Sequence, residues 1–175
     1  MKRILSVVCS VARCRALAPA QTAHNKAMRG AAMSDQQFVN FAAQTDMVEA
    51  NLGQLAESAS SSQPVKDYGQ MLVTDHTSDY NQLWNVAQQA GLTVPGAIDS
   101  ANNKAMIAPF QKLKGKSFDR RYVREMIMGH TKAIAIYKKE AASAQNASLQ
   151  SYAQSALPVL EKHLDAAKKL LKQAK

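Results

Sequence analysis

From Pro64 to Ala90 the apolar residues fall at Val65, Tyr68, Leu72, Leu83, Val86 and Ala90, the three-and-four spacing that gathers side chains on one face of a helix. His76 and Asp79 stand in that stripe where apolar residues belong. A buried imidazole and a buried carboxylate both lose hydration, so each needs a partner on a facing element. The stretch therefore demands neighbours that bring polar groups to its middle.

Three other stretches have the same period. Helix 1 is expected to open at Ser34 with Gln37 three residues later, a capping box that satisfies free backbone N–H groups. Its stripe is Phe38, Phe41, Thr45, Val48, Leu52, Leu55 and Ala59, with Glu49 on the flank beside Ala42, Gly53 and Ala56. Ser58 to Gln63 breaks the pattern, and Pro64 suits a first helical turn, where its missing N–H costs little. So short a link makes helices 1 and 2 an antiparallel hairpin. Gly91 and Pro95-Gly96 end helix 2.

Helix 3 is expected to start near Ser117 or Asp119, with the stripe Tyr122, Met126, His130, Ala133 or Ile134, Tyr137 and Ala141. Asn146 and Ser148 mark a second tight link. Helix 4 carries Leu149, Tyr152, Ala156, Leu160, His163, Ala167 and Leu170, with Pro158 inside it and a kink expected there. Residues 91–117 predict a short helix from Ser100 to Met106, a break near Pro109 and a turn from Phe110 to Lys114. A connection this long suits a crossover running back along a bundle. Strand-like alternation is absent, so the fold expected over 34–175 is all-α, a single four-helix bundle domain.

Composition bears on partners. The net charge of +9 divides unevenly: residues 1–33 hold six Lys/Arg and no acid, residues 34–90 one base and seven acids, residues 91–175 fifteen bases and six acids. Residues 1–33 thus carry six of the nine charges, while the acidic first half and basic second half of the remainder can attract one another within one domain and need not imply an external partner. No basic stretch is interleaved with aromatics, so nucleic acid is not an expected partner. A basic outer face can still touch an anionic envelope surface, and a homo-oligomer is open.

The start has the outline of an export signal over 1–23: Met1-Lys2-Arg3, an apolar run from Ile4 to Ala12, and Ala18-Pro19-Ala20 for cleavage. Arg13 and Arg15 depart from that outline, so an Arg-rich targeting segment or a mistaken start are the alternatives. Residues 24–33 read as a flexible connector. Export would place the chain in the periplasm or outside the cell. Cys9 and Cys14, the two cysteines, both lie in this leader, so any site in the folded part must use His, Asp, Glu, Tyr or Met.

Counted from their links, His130 and His163 share a height, Glu49 and His76 nearly share one, and a crossover brings all four to mid-bundle. Glu49, His76, His130 and His163 are therefore the candidate metal ligands, with Asp79, Tyr122 or Tyr137 as outer partners. Imidazole with carboxylate suits one iron, zinc, manganese or copper ion. The competing reading is a metal-free layer in which the histidines bond to Glu49, Asp79 and the tyrosines and only fix helix register. Asp75 is expected to be solvated or paired across a helix edge, Glu161 and Asp165 to form a surface stripe, Met126 and Met128 to be filler, and Trp84 to lie in the core or at its rim. No nucleophile motif or phosphate loop is visible, and no catalytic residue is assigned.

The run Phe38 to Glu49, Met71-Leu72-Val73-Thr74-Asp75-His76, Gly115 followed by Phe118-Asp119 and Tyr122, His130, and Leu157-Pro158-x-Leu160-x-x-His163-Leu164 resemble the ferritin-like exported bacterial proteins catalogued as a domain of unknown function of the 4142 type. The resemblance spans residues 34–172 and implies a ferritin-like four-helix bundle with no established activity. The di-iron site of the wider ferritin-like class uses Glu-x-x-His on two helices. Here Val73 and Leu160 stand three residues before His76 and His163, so a di-iron enzyme is not expected.

Overall fold

The computed structural model describes residues 33–173. The expected leader, 1–23, and all but the last residue of the expected connector lie outside the described residues. Those described are helical and connecting segments, with no strand among them. Four long helices dominate: α1 (Asp35–Ala59), α2 (Gln63–Gln89), α3 (Gly115–Ser143) and α4 (Ala147–Gln173).

Local sequence sets most of the boundaries. The Ser34 side chain accepts from the Gln37 N–H while the Gln37 side chain accepts from the Ser34 N–H, the expected capping box. Pro64 sits in the first turn of α2, and Gly91 leaves its far end with φ +70°, a conformation that costs a residue without Cβ little. Asn146 Oδ1 accepts from the N–H groups of Ser148 and Leu149 and starts α4. α3 begins at Gly115, two residues before the expected Ser117, because Gly115 adopts φ +57° and turns the chain straight into the helix. Pro158 lies inside a continuous α4.

The connection differs from expectation in one respect. Helical backbone continues past Asn102 through a wide π turn, Asn103–Ile107, and a 3₁₀ turn, Ala108–Phe110. Pro109 is absorbed in the tight turn and does not break it. The segment is held along α1 by polar contacts: Gln36 bonds to Thr93, Gln44 to Ala97, Asp99 and Asn102, and Lys114 to the Ser58 carbonyl.

Each short link is tied by an aspartate from the other helix pair. Asp119, in the first turn of α3, accepts from Ser60 and Ser61 in the α1–α2 link. Asp35, the first residue of α1, accepts from the N–H groups of Gln145 and Asn146 in the α3–α4 link. These two ties set how the hairpins sit along one another.

The helical bundle that results has two apolar clusters. One is built on Phe38, Leu83, Tyr137, Leu149 and Tyr152. The other is built on Leu52, Leu72, Phe110, Phe118 and Tyr122. Leu52, Leu72, Leu83 and Leu149 are fully buried, each worth about 1.5–3 kcal/mol against exposure. Along α1 and α2 the polar residues Asp46 and His76 fall between the members of one cluster and those of the other, with Glu49 one turn beyond Asp46; His130 and His163 do the same along α3 and α4.

Candidate metal centre

Each helix delivers one side chain to this layer from its apolar face: Glu49 from α1, His76 from α2, His130 from α3 and His163 from α4. All four are buried, at 4%, 2%, 0% and 0% exposure. The three histidines form one cluster, and Glu49 lies against two of them, His76 and His130. Below the layer the backbones of α1 and α2 nearly touch, since a Cβ on Gly53 would lie 2.5 Å from the Gly69 carbonyl oxygen. That approach draws Glu49 and His76 within reach of each other.

Each of these three histidines has one ring nitrogen engaged outward. His76 Nδ1 donates to Asp46 Oδ1 at 2.9 Å, His130 Nδ1 to the Met126 carbonyl at 2.9 Å, and His163 Nε2 to Asp75 Oδ2 at 2.8 Å. These bonds fix the rings and turn the remaining nitrogens inward. His76 Nε2 and His130 Nε2 lie 3.0 and 3.2 Å from Glu49 Oε2, and His130 Nε2 lies 3.2 Å from His163 Nδ1. The inward atoms of the three histidines all fall within 4.8 Å of one another.

Close as they are, His76 Nε2 and Glu49 Oε2 are not aligned for a hydrogen bond, and both are buried without a partner. Electron-rich atoms that meet in a buried layer need protons or a cation between them. Ligands about 2.0–2.1 Å from a tetrahedral ion lie roughly 3.3–3.4 Å from each other. The contacts at 3.0–3.2 Å are close to that spacing, and the donor set suits iron, zinc, manganese or copper.

The electrostatics are those of a coupled cluster. Burial alone would raise Glu49, but the facing histidines outweigh it and hold the carboxyl below its ordinary value. Burial likewise opposes charge on His76, yet Glu49 and Asp46 push it up to about 10. His163 goes the other way, down to about 4, because burial and the neighbouring imidazoles outweigh its bond to Asp75. Its Nδ1 therefore presents a lone pair at neutral pH. Burial carries Asp46 up to about 7 against the pull of His76, and raises Asp79 as well. Asp46 Oδ2 has no hydrogen-bond donor in its direct geometry; a proton kept on one of these two carboxyls relieves both.

The expected outer partners are distributed differently. Asp79 accepts from Tyr152 at 2.7 Å, and Tyr137 reaches Tyr152 at 3.4 Å, so Tyr137 adjoins the layer only through that pair. Tyr122 stacks on Phe118 in the apolar cluster, its hydroxyl buried without a partner. Asp75 takes the second of its two expected roles, pairing across the α2–α4 edge. Glu161 pairs with Lys138 at the surface, Met126 is buried and Trp84 is 41% exposed.

The sequence reading missed Asp46. Its signal was an acid one helical turn before Glu49, close enough to share its face.

The family described as "Domain of unknown function (DUF4142)" matches residues 18–170. The chain belongs to the DUF4142 family. No curated protein and no solved structure matches it. The match spans all four long helices of this DUF4142 chain, and with them every residue of the polar layer.

Two openings reach the layer. A cleft of about 140 Å³ between α2 and α4 is lined by Asp75, His76, Asp79 and His163. A cavity of about 320 Å³ between α1, the connection and α3 has Glu49 and Gly129 in its wall. Among the described residues no helix is long and apolar enough to cross a membrane.

Proposed function

We propose that this DUF4142 protein is an exported ferritin-like four-helix bundle that holds one transition-metal ion through Glu49, His76, His130 and His163. The observation that carries the metal reading is the convergence of three ring nitrogens, each histidine anchored outward by an acceptor, with Glu49 Oε2 against two of the three. Outward anchoring of this kind is what metal-ligating histidines generally have. The bundle topology is supported by the two hairpins and by the connection laid along α1. Export is supported by the basic start and apolar run before Ala18-Pro19-Ala20, and a role in the cell envelope follows from it.

One carboxylate among three imidazoles fits a mononuclear ion of iron, zinc, manganese or copper. It does not supply the bridging carboxylates of a di-iron centre. When bound, the ion would supply Lewis acidity or, for iron, manganese or copper, electron exchange. The chain's own part is to fix the rings through Asp46, Met126 and Asp75.

A second reading has an observation of its own. Glu49 held ionised beside a His76 held protonated makes an internal ion pair, which satisfies part of the layer without a metal. Mass spectrometry of metal content, on protein purified without chelator or affinity tag, separates the two. The metal reading expects near-stoichiometric metal, lost in His130→Ala. A chain that takes up none of the four ions on reconstitution is a packing bundle.

A further inference from the structure

Glu49 has two faces. Oε2 lies against His76 and His130, while Oε1 points the other way: a Cβ built on Gly129 would sit 3.3 Å from it. No side chain grows from Gly129 to cover that oxygen, and both residues line the 320 Å³ cavity. None of the described residues donates a hydrogen bond to Oε1. A carboxylate only 4% exposed thus offers an open acceptor at the inner end of a cavity of small-molecule size.

The walls set the rest of the ligand's chemistry. Phe41, Val48, Leu52 and Met126 give the cavity an apolar body. Its rim is built rather than loose, because Gln44 is tied to Ala97, Asp99 and Asn102. An anionic ligand would meet the carboxylates of Glu49, Asp99 and Glu125 in the wall. An ammonium ligand would meet Lys132, which stands in the cavity wall with its own ammonium over the Phe41 ring, where the ligand's apolar body would pack. What remains is a neutral molecule with an apolar body and one hydroxyl.

We infer that the cavity binds a small neutral phenol-class ligand, its ring against Phe41 and Met126 and its hydroxyl donating to Glu49 Oε1. The inference goes beyond the metal reading and stands on the cavity whether or not an ion faces Oε2. A hydroxyl matters here because a buried acceptor left without a donor penalises an analogue that lacks one.

The test is calorimetric titration of the full chain with 4-ethylphenol, its methyl ether 4-ethylanisole, and 4-ethylbenzoate, with metal content measured on the same samples. The phenol should bind about tenfold or more tightly than the ether, and the benzoate should not bind. Thr45→Phe, which fills the cavity from a half-buried wall position, should abolish phenol binding while leaving both metal content and thermal stability near wild type. Gly129→Ala should weaken it by crowding Oε1.

Equal affinity for phenol and ether, or phenol binding unchanged in Thr45→Phe, overturns the inference, as does the absence of phenol binding in the folded wild-type chain. Phenol binding with this pattern in a chain that holds no metal sustains the cavity assignment while the metal reading fails. Stoichiometric metal without phenol binding does the reverse.

Discussion

Asp46 decides how His76 presents itself. Its carboxylate holds His76 Nδ1 at 2.9 Å, so Nε2 is the nitrogen left for the layer. Asn at this position keeps the size but removes the charge, and its amide can turn NH₂ toward the ring and favour the wrong tautomer. Asp46→Asn should weaken ion affinity about 10- to 100-fold, read by competition with a chelating indicator. Its helix content should match wild type; unchanged affinity would show that Asp46 does not set the ring. Asp75 stands in the same relation to His163, and here the sequence offered two roles without choosing. Adjacency to His76 puts Asp75 about 100° round the helix, and only the placement of α4 shows what lies in that direction.

At the scale of elements, the approach of α1 to α2 rests on two glycines. A Cβ on Gly53 would meet the Gly69 carbonyl at 2.5 Å and the Val73 side chain at 2.9 Å. The carbonyl cannot yield without moving backbone. Gly53→Ala should therefore destabilise the fold by about 1–3 kcal/mol, measured by urea unfolding, although alanine is the better helix former. A neutral or stabilising result would mean that the helices part without cost.

Helix identity and order were legible because stripes, caps and prolines are local signals. So was the shared height of Glu49, His76, His130 and His163, since short links convert sequence distance into height. The connection was legible only as a length. Its π turn and its ties through Gln36 and Gln44 depend on exposed amides whose partners lie 53 to 58 residues away. The cavity beside Glu49 could not be read at all, because it is space left by three elements, and Gly129 drew no notice in a helical run.

For the molecule as a whole, stability against pH has one traceable contributor away from the polar layer. Glu140 is 4% exposed, and Oε1 has no hydrogen-bond partner. Burial, with the charge of Asp35 adding to it, pushes this carboxyl from 4.5 up to about 7. Between those values the folded chain keeps a proton that the unfolded chain has released. This contribution therefore falls as pH rises through that window and levels off above it.

Glu140→Gln removes the titration. The variant should match wild type near pH 4 and exceed it at pH 8 by about 1 kcal/mol, a figure reduced for solvent screening at the bundle end. Urea midpoints at the two pH values give the comparison. An advantage equal at both would assign the effect to packing instead.

The reciprocal ties of Asp35 and Asp119 also bear on how such a chain can change over generations. With both bundle ends pinned, a residue gained inside α2 between the Ser62 cap and His76 would turn that ring by about 100° and shift it by about 1.5 Å. Nothing at the ends could slide to absorb the error. An added residue beside Gly96, where a new Cβ would meet nothing within 4 Å, leaves every helix in step. Length is thus fixed in the four helices, so insertions and deletions between related chains belong in the connection near Gly96, between its ties at Thr93 and Ala97.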